Sequence, residues 1–259
     1  MDEQQASEQL AVTRREWDER APLWNERNLQ NWDTPETAAW WGEWFAKLRA
    51  FLPDAPAPLL DAGCGNGQIS VLFAREGYAV SGCDLSPQMV EFARANADQY
   101  QPASPIEFTA ASIDTLPYAD GQFAVVNCRC VLDFAPRPAY ALRELRRVMR
   151  PGGVLILNMM GANSPIKRQY WLRHLQGLDA VADDFTNIFN GITPWEVDRI
   201  MPVLGWRRLY QEANYGGTAG GALNEFDSEV MLGLPTLFQQ TAATNWLIVA
   251  DAVPPISLT

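Results

Sequence analysis

Histidine is almost missing: one residue in 259, His174, leaves little room for imidazole-based metal or acid–base chemistry. The four cysteines, Cys64, Cys83, Cys128 and Cys130, form neither a zinc-ligand spacing nor a disulfide framework. No metal is therefore expected, and a reducing, cytoplasmic setting fits. Positive charge is also short, with 20 Lys and Arg against 31 Asp and Glu and a net charge of −11. Such a field repels phosphate backbones and disfavours an extended nucleic-acid footprint. No run is long and apolar enough to span a bilayer, and the opening MDEQQASEQL has no basic n-region or apolar h-region. Neither a membrane partner nor a signal peptide is expected. No internal repeat or low-complexity tract is present.

What remains is ordinary globular composition, 47% hydrophobic, in a chain long enough to bury a substantial core. Its organising stretch is residues 59–70, LLDAGCGNGQIS. A strand runs into Asp61, glycines follow at Gly63, Gly65 and Gly67, and a helical pattern begins. That turn exposes backbone N–H groups beside a helix N-terminus with no side chain in the way, as a nucleotide-like cofactor requires. The dinucleotide code would need its third glycine at position 68, which is Gln68, and no phosphate-binding lysine follows.

Residues 1–52 read as helical and tryptophan-rich. Trp17, Ala21 and Trp24 share one helix face, and Trp40, Trp41, Trp44, Phe45, Leu48 and Phe51 make a second apolar stripe. Both stripes could simply pack on the domain; the sharper reading makes 1–52 a lid, with Trp24 and Trp32 closing on a ligand. After a short linker at 53–58, strands at 59–62, 78–83, 105–110, 123–130 and 154–159 alternate with helices at 68–76, 87–96 and 139–150. Alternation of this kind predicts right-handed crossovers and a parallel sheet covered on both faces. Residues 162–191 read as an insertion carrying the basic-aromatic helix KRQYWLRHL. A helix from Pro194 to about Leu204, strands at 206–214 and 245–252, and between them a glycine-rich loop and a helix over 227–239 complete the reading. Arg143, Arg146, Arg147 and Arg150 lie opposite Leu142, Leu145 and Val148 and read as a solvated helix face.

Four segments, DAGCGNG at 61–67, CDLSPQMVEFAR at 83–94, LPYADGQFAVV at 116–126 and MRPGGVLIL at 149–157, together resemble the class I S-adenosylmethionine-dependent methyltransferases. The resemblance is good over about 55–160 and looser beyond. It implies a doubly wound, Rossmann-like, seven-stranded, mostly parallel α/β sheet with helices on both faces, the domain running over 53–259. It also implies S-adenosylmethionine as cofactor, held by Asp61, Gly63, Gly65, Gly67, Asp84, Leu85, Ser112, Ile113 and Cys128. Asp84 would accept from both ribose hydroxyls, since a carboxylate has capacity for two donors. For the adenine amine, either Ser112 or, by a shift in register, Asp114 is the reader.

At the end of the fourth strand, Arg129 could bind a substrate carboxylate or form a salt bridge within the fold. Asp133 and His174 are the candidate proton-transfer residues. Methyl transfer to an anionic nucleophile needs little proton chemistry, so a missing base decides nothing. The expected activity is methyl transfer to a small, partly apolar acceptor. Two alternatives stand beside it: methylation of a tRNA wobble-uridine carboxyl group, and a non-catalytic S-adenosylmethionine-binding module. The oligomeric state is not legible.

Overall fold

The computed structural model describes residues 2–30, 32, 34–102, 104–160, 194–214 and 245–254. The sequence-predicted 162–191 insertion, with His174 in it, the loop after residue 214 and the 227–239 helix lie outside the described residues.

Two helices lead the chain, α1 (Glu3–Gln30) and α2 (Pro35–Leu48). Thr34 starts α2 by accepting from the Thr37 N–H, with Pro35 pre-set for the first turn. The core alternates β1 (Pro58–Ala62), α3 (Gln68–Arg75), β2 (Ala79–Asp84), α4 (Pro87–Tyr100), β3 (Glu107–Ala110) and β4 (Phe123–Arg129). After a 3-10 turn at Leu132–Phe134 come α5 (Pro138–Val148), β5 (Met149–Met160), α6 (Pro194–Val203), β6 (Trp206–Asn214) and β7 (Asn245–Ala252). The sheet order is β3-β2-β1-β4-β5-β7-β6, parallel except that β7 runs against both its neighbours.

Central strands carry continuous apolar runs because both faces are covered: six consecutive residues of β4, from Phe123, are buried. One face is filled by Leu142, Leu145 and Val148 of α5, each fully buried and contributing about 1.5–3 kcal/mol. On the other, α2 brings Trp44, Phe45 and Leu48 against Phe73, with the Phe45 and Phe73 rings 5.1 Å apart. The second aromatic stripe therefore packs on the domain.

Several boundaries differ from the sequence expectation for local reasons. Pro105 cannot donate to a ladder, so β3 starts at Glu107. Gln101, at φ 42, caps α4, which runs four residues past the expected end to Tyr100. The last strand of the parallel set begins at Met149 rather than at 154, because Met149 pairs with Phe123 before an irregularity that restores register at Val125↔Val154. The arginine face of α5 is not simply solvated. Arg146 donates to the carbonyls of Gly205 and Val253, and Arg147 donates to Glu144, Asp120 and the carbonyls of Leu116 and Tyr118.

Between β1 and β4 the strand order reverses direction along the sheet. In open α/β sheets a crevice opens at the carboxyl ends of the strands at such a point. The end of β1, the end of β2 and the end of β4 all meet there.

Candidate active site

The glycine turn after β1 is stitched to β2: the N–H groups of Gly63 and Cys64 both donate to the Cys83 carbonyl, at 2.7 and 2.9 Å. Gly63, at φ +77, sits so close to Val131 that a Cβ would lie 2.1 Å from the valine Cγ2. Gly65 is the opposite case, since a Cβ there would meet nothing within 4 Å. Its backbone faces an open cleft. Gly67 lies off the cleft and lets α3 approach Ala93 of α4.

Asp84 closes the turn from the side. One carboxylate oxygen accepts from the Gly65 N–H and the other from the Ser86 N–H, both at 2.9 Å. Burial pushes its carboxyl up to about 6, against the pull of those two N–H groups; the nearby Asp61 and Asp18 push the same way. Each oxygen keeps lone-pair capacity directed at further donors. Ser86 also caps α4, accepting from the Met89 N–H.

The cleft encloses about 780 Å³ of empty space, counting the solvent at its mouth. One wall is Gly63, Gly65, Asp84, Leu85 and Met89. A second is Ser112, Ile113 and Asp114 after β3, and a third is Arg129 at the end of β4 with Cys130, Val131 and Phe134 after it. The roof is α1, through Leu10, Thr13, Trp17 and Trp24. Trp17 packs edge-on against both Trp24 and Phe134, at 5.7 and 5.4 Å.

Polar contacts fasten α1 across the cleft. Asp18 accepts from the Ser86 hydroxyl at 2.6 Å, at the N-terminus of α4. Asn25 accepts from the side-chain amides of Asn66 and Asn96, at 2.9 and 3.1 Å. Little of the helix is buried, with Ala6, Thr13 and Ala21 the buried residues of its 28.

Of the sequence-predicted site residues, the structure brings Gly63, Gly65, Asp84, Leu85, Ser112, Ile113, Arg129 and Trp24 to one cleft. Others stand elsewhere. Asp61 is 2% exposed behind the turn, accepting from Ser70 at 2.6 Å and Asn127 at 2.7 Å, so it ties β1 to α3 and β4 instead of reaching the cleft. Burial raises its carboxyl above the ordinary range, and those two donors offset part of the rise. Cys128 points into the core between sheet and α5 and is fully buried. Trp32 is buried against Trp41 and Tyr100, and Asp133 is fully buried on the 3-10 turn, off the cleft wall.

The adenine-edge alternatives both line the cleft, and the Ser112 hydroxyl accepts from the Asp114 N–H at 3.2 Å. Asp114 lies 3.9 Å from Arg137, and one of its buried oxygens has no hydrogen-bond partner. Burial raises its carboxyl, with Arg137 opposing. Sequence reasoning missed Leu10, Thr13, Met89 and the polar fasteners Asp18, Asn25, Asn66 and Asn96. The asparagines carry no local signal, because Asn25 and its partners are 41 and 71 residues apart. Among the described residues no group of three or more His, Cys, Asp or Glu could hold a metal ion.

Residues 60–157 match the model of a family described as a methyltransferase domain. The chain is 38% identical over 118 residues to a malonyl-[acyl-carrier protein] O-methyltransferase of Enterobacter lignolyticus, covering 44% of each. It is 30% identical over 157 residues to a ubiquinone biosynthesis O-methyltransferase of Psychrobacter arcticus, covering 58% of this chain and 59% of that one. The match thus spans about half the length of these curated relatives. Among solved structures, a SAM-dependent methyltransferase of Methanosarcina mazei superposes with a TM-score of 0.61 at 19% identity, covering 80% of this chain and 97% of that one.

Proposed function

We propose, for a chain that belongs to the class I S-adenosylmethionine-dependent methyltransferase superfamily, that it transfers a methyl group to a small, partly apolar acceptor. One observation carries the reading: the Asp84 carboxylate stands on the cleft wall beside Gly65, whose missing Cβ leaves open space.

The residues present fit the cofactor. Asp84 has acceptor capacity for two hydroxyls, Leu85 and Met89 offer an apolar face, and Ser112 or Asp114 can accept from an exocyclic amine. The partnerless oxygen of Asp114 favours it over Ser112. S-adenosylmethionine supplies an electrophilic methyl group on a sulfonium. The chain supplies position and dryness: Trp17, Trp24 and Phe134 exclude water from the far end of the cleft and offer an aromatic surface to an apolar acceptor. We read α1 as a lid on that basis, fastened at Asp18 and Asn25.

The test is incubation with methyl-labelled S-adenosylmethionine and fractionated cell extract, with and without ribonuclease, alongside Asp84→Asn. Label in a small molecule that survives ribonuclease, and is lost in the variant, is expected. Label confined to ribonuclease-sensitive material would overturn the acceptor class in favour of tRNA. Tight cofactor binding without any labelled product would favour the non-catalytic module.

A further inference from the structure

Arg129 ends β4 on the cleft wall. Its guanidinium carbon lies 5.1 Å from the ring centroids of both Trp40 and Trp41, whose planes meet at 78°. The head group therefore sits in a corner of two aromatic faces contributed by α2. Contact with ring faces orients a guanidinium without consuming its in-plane N–H donors.

One contact reaches the neighbouring Cys130 side chain, a weak acceptor that leaves most of the fork's five donors for a stronger one. Among the described residues no Asp or Glu forms an ion pair with Arg129 within 4.0 Å. Asp61 is near enough to feel its charge, yet its own oxygens already accept from Ser70 and Asn127. The salt bridge allowed by the sequence is absent from the described residues. Arg129 is also the one cation on the described cleft wall, facing a site that otherwise offers Asp84 and Asp114.

We propose that Arg129, oriented by Trp40 and Trp41, is the carboxylate-binding residue of the cleft. A single planar fork matches a carboxylate bidentately. A phosphate would bring a second negative charge toward Asp61 and Asp84 with one cation to meet it, which the charge balance of the wall opposes. The carboxylate has two possible sources, the amino-acid end of the methyl donor or an apolar acceptor lying under Trp17 and Trp24. This proposal rests on the methyltransferase reading for the first source and stands apart from it for the second.

The experiment is calorimetric titration of wild type, Arg129→Lys and Arg129→Met, each checked for an unchanged thermal midpoint. The probes are S-adenosylhomocysteine and methylthioadenosine, which lacks the carboxylate; octanoate and octanamide are then titrated with and without S-adenosylhomocysteine. A loss of tenfold or more for S-adenosylhomocysteine in Arg129→Met, with methylthioadenosine unchanged, assigns the donor's carboxylate. Unchanged S-adenosylhomocysteine affinity, with octanoate binding lost in the variant and octanamide never binding, assigns the acceptor's. Arg129→Lys should fall between, keeping charge but losing the fork. Equal affinities of wild type and Arg129→Met for every probe would overturn the proposal. Failure of wild type to bind either nucleoside would instead sink the methyl-donor reading, with the octanoate arm still deciding on Arg129.

Discussion

Lowering the pH should weaken cofactor binding through one carboxyl. Asp84 is pushed up to about 6, from an ordinary value of 3.8, by burial first and by Asp61 and Asp18 in addition. A ribose diol donates to both oxygens, so it binds the ionised form and must displace a proton where Asp84 is protonated. With a midpoint near 6, about half the sites are competent at pH 6 and about a tenth at pH 5, a loss of about 1.4 kcal/mol per further unit. Going from pH 7 to pH 5 should therefore raise the Kd for S-adenosylhomocysteine about tenfold. Titration calorimetry in two buffers of different ionisation enthalpy reads both the affinity and the protons released, about half a proton at pH 6. Asp84→Asn should bind about 1.5–3 kcal/mol more weakly and show no such slope. Burial raises the Asp114 carboxyl as well, and Asp114→Asn should leave the midpoint in place. A flat wild-type profile between pH 5 and 7 would refute the reasoning. Stability runs the other way. Because the folded value exceeds the unfolded one, the contribution of Asp84 to stability is present below about pH 4 and is lost as pH rises through about 6. The rise in thermal midpoint on adding ligand should accordingly be larger at pH 7 than at pH 5.

Gly63→Ala forces a Cβ to within 2.1 Å of Val131 at a φ of +77, and should cost about 2 kcal/mol or more, read as a lower urea midpoint. Adding Val131→Ala should recover part of that loss, since it removes the clash but not the backbone strain; no recovery would show the steric account to be mistaken. Asp18→Ala with Asn25→Ala removes the polar contacts that fasten α1 to α4 and the glycine turn. Ligand dissociation followed by tryptophan fluorescence should then accelerate about tenfold or more, tenfold being the lower bound for three lost hydrogen bonds of about 0.5–1.5 kcal/mol each. Unchanged dissociation would mean that α1 does not gate the cleft.

The doubly wound sheet was legible because its signals are local: apolar runs, the glycine turn, and the Ser86-Pro87 start of α4, which the structure reproduces with Ser86 accepting from Met89. The place of Asp84 and Gly65 on a common wall follows from the same logic, since Asp84 ends β2 and Gly65 lies in the turn after β1, its neighbour in the sheet. Spacing could not reveal which way an end-of-strand carboxylate points. Asp61 turns inward because Asn127 stands opposite it on β4, a pairing across 66 residues. The tryptophans show a similar limit. Helical periodicity separates two stripes, yet only packing distinguishes Trp44, buried at 7% exposure on Phe73, from Trp17 and Trp24 at the cleft. For the α5 arginines, periodicity reported a polar face and could not report the carbonyls of residues 116, 118, 205 and 253 waiting beside it.

The Asp61–Asn127 contact has a meaning for folding as well as for shape. Buried on both faces, β4 presents Val125, Val126 and Cys128 almost interchangeably, so apolar burial alone barely tells one alignment with β1 from the next. A slip by one position would set Val126 or Cys128 opposite Asp61, stranding a carboxylate in the interior with the Asn127 amide gone, a penalty of about 1–3 kcal/mol or more. The two central strands thus carry an alignment check: one polar pair that favours the correct register over its neighbours.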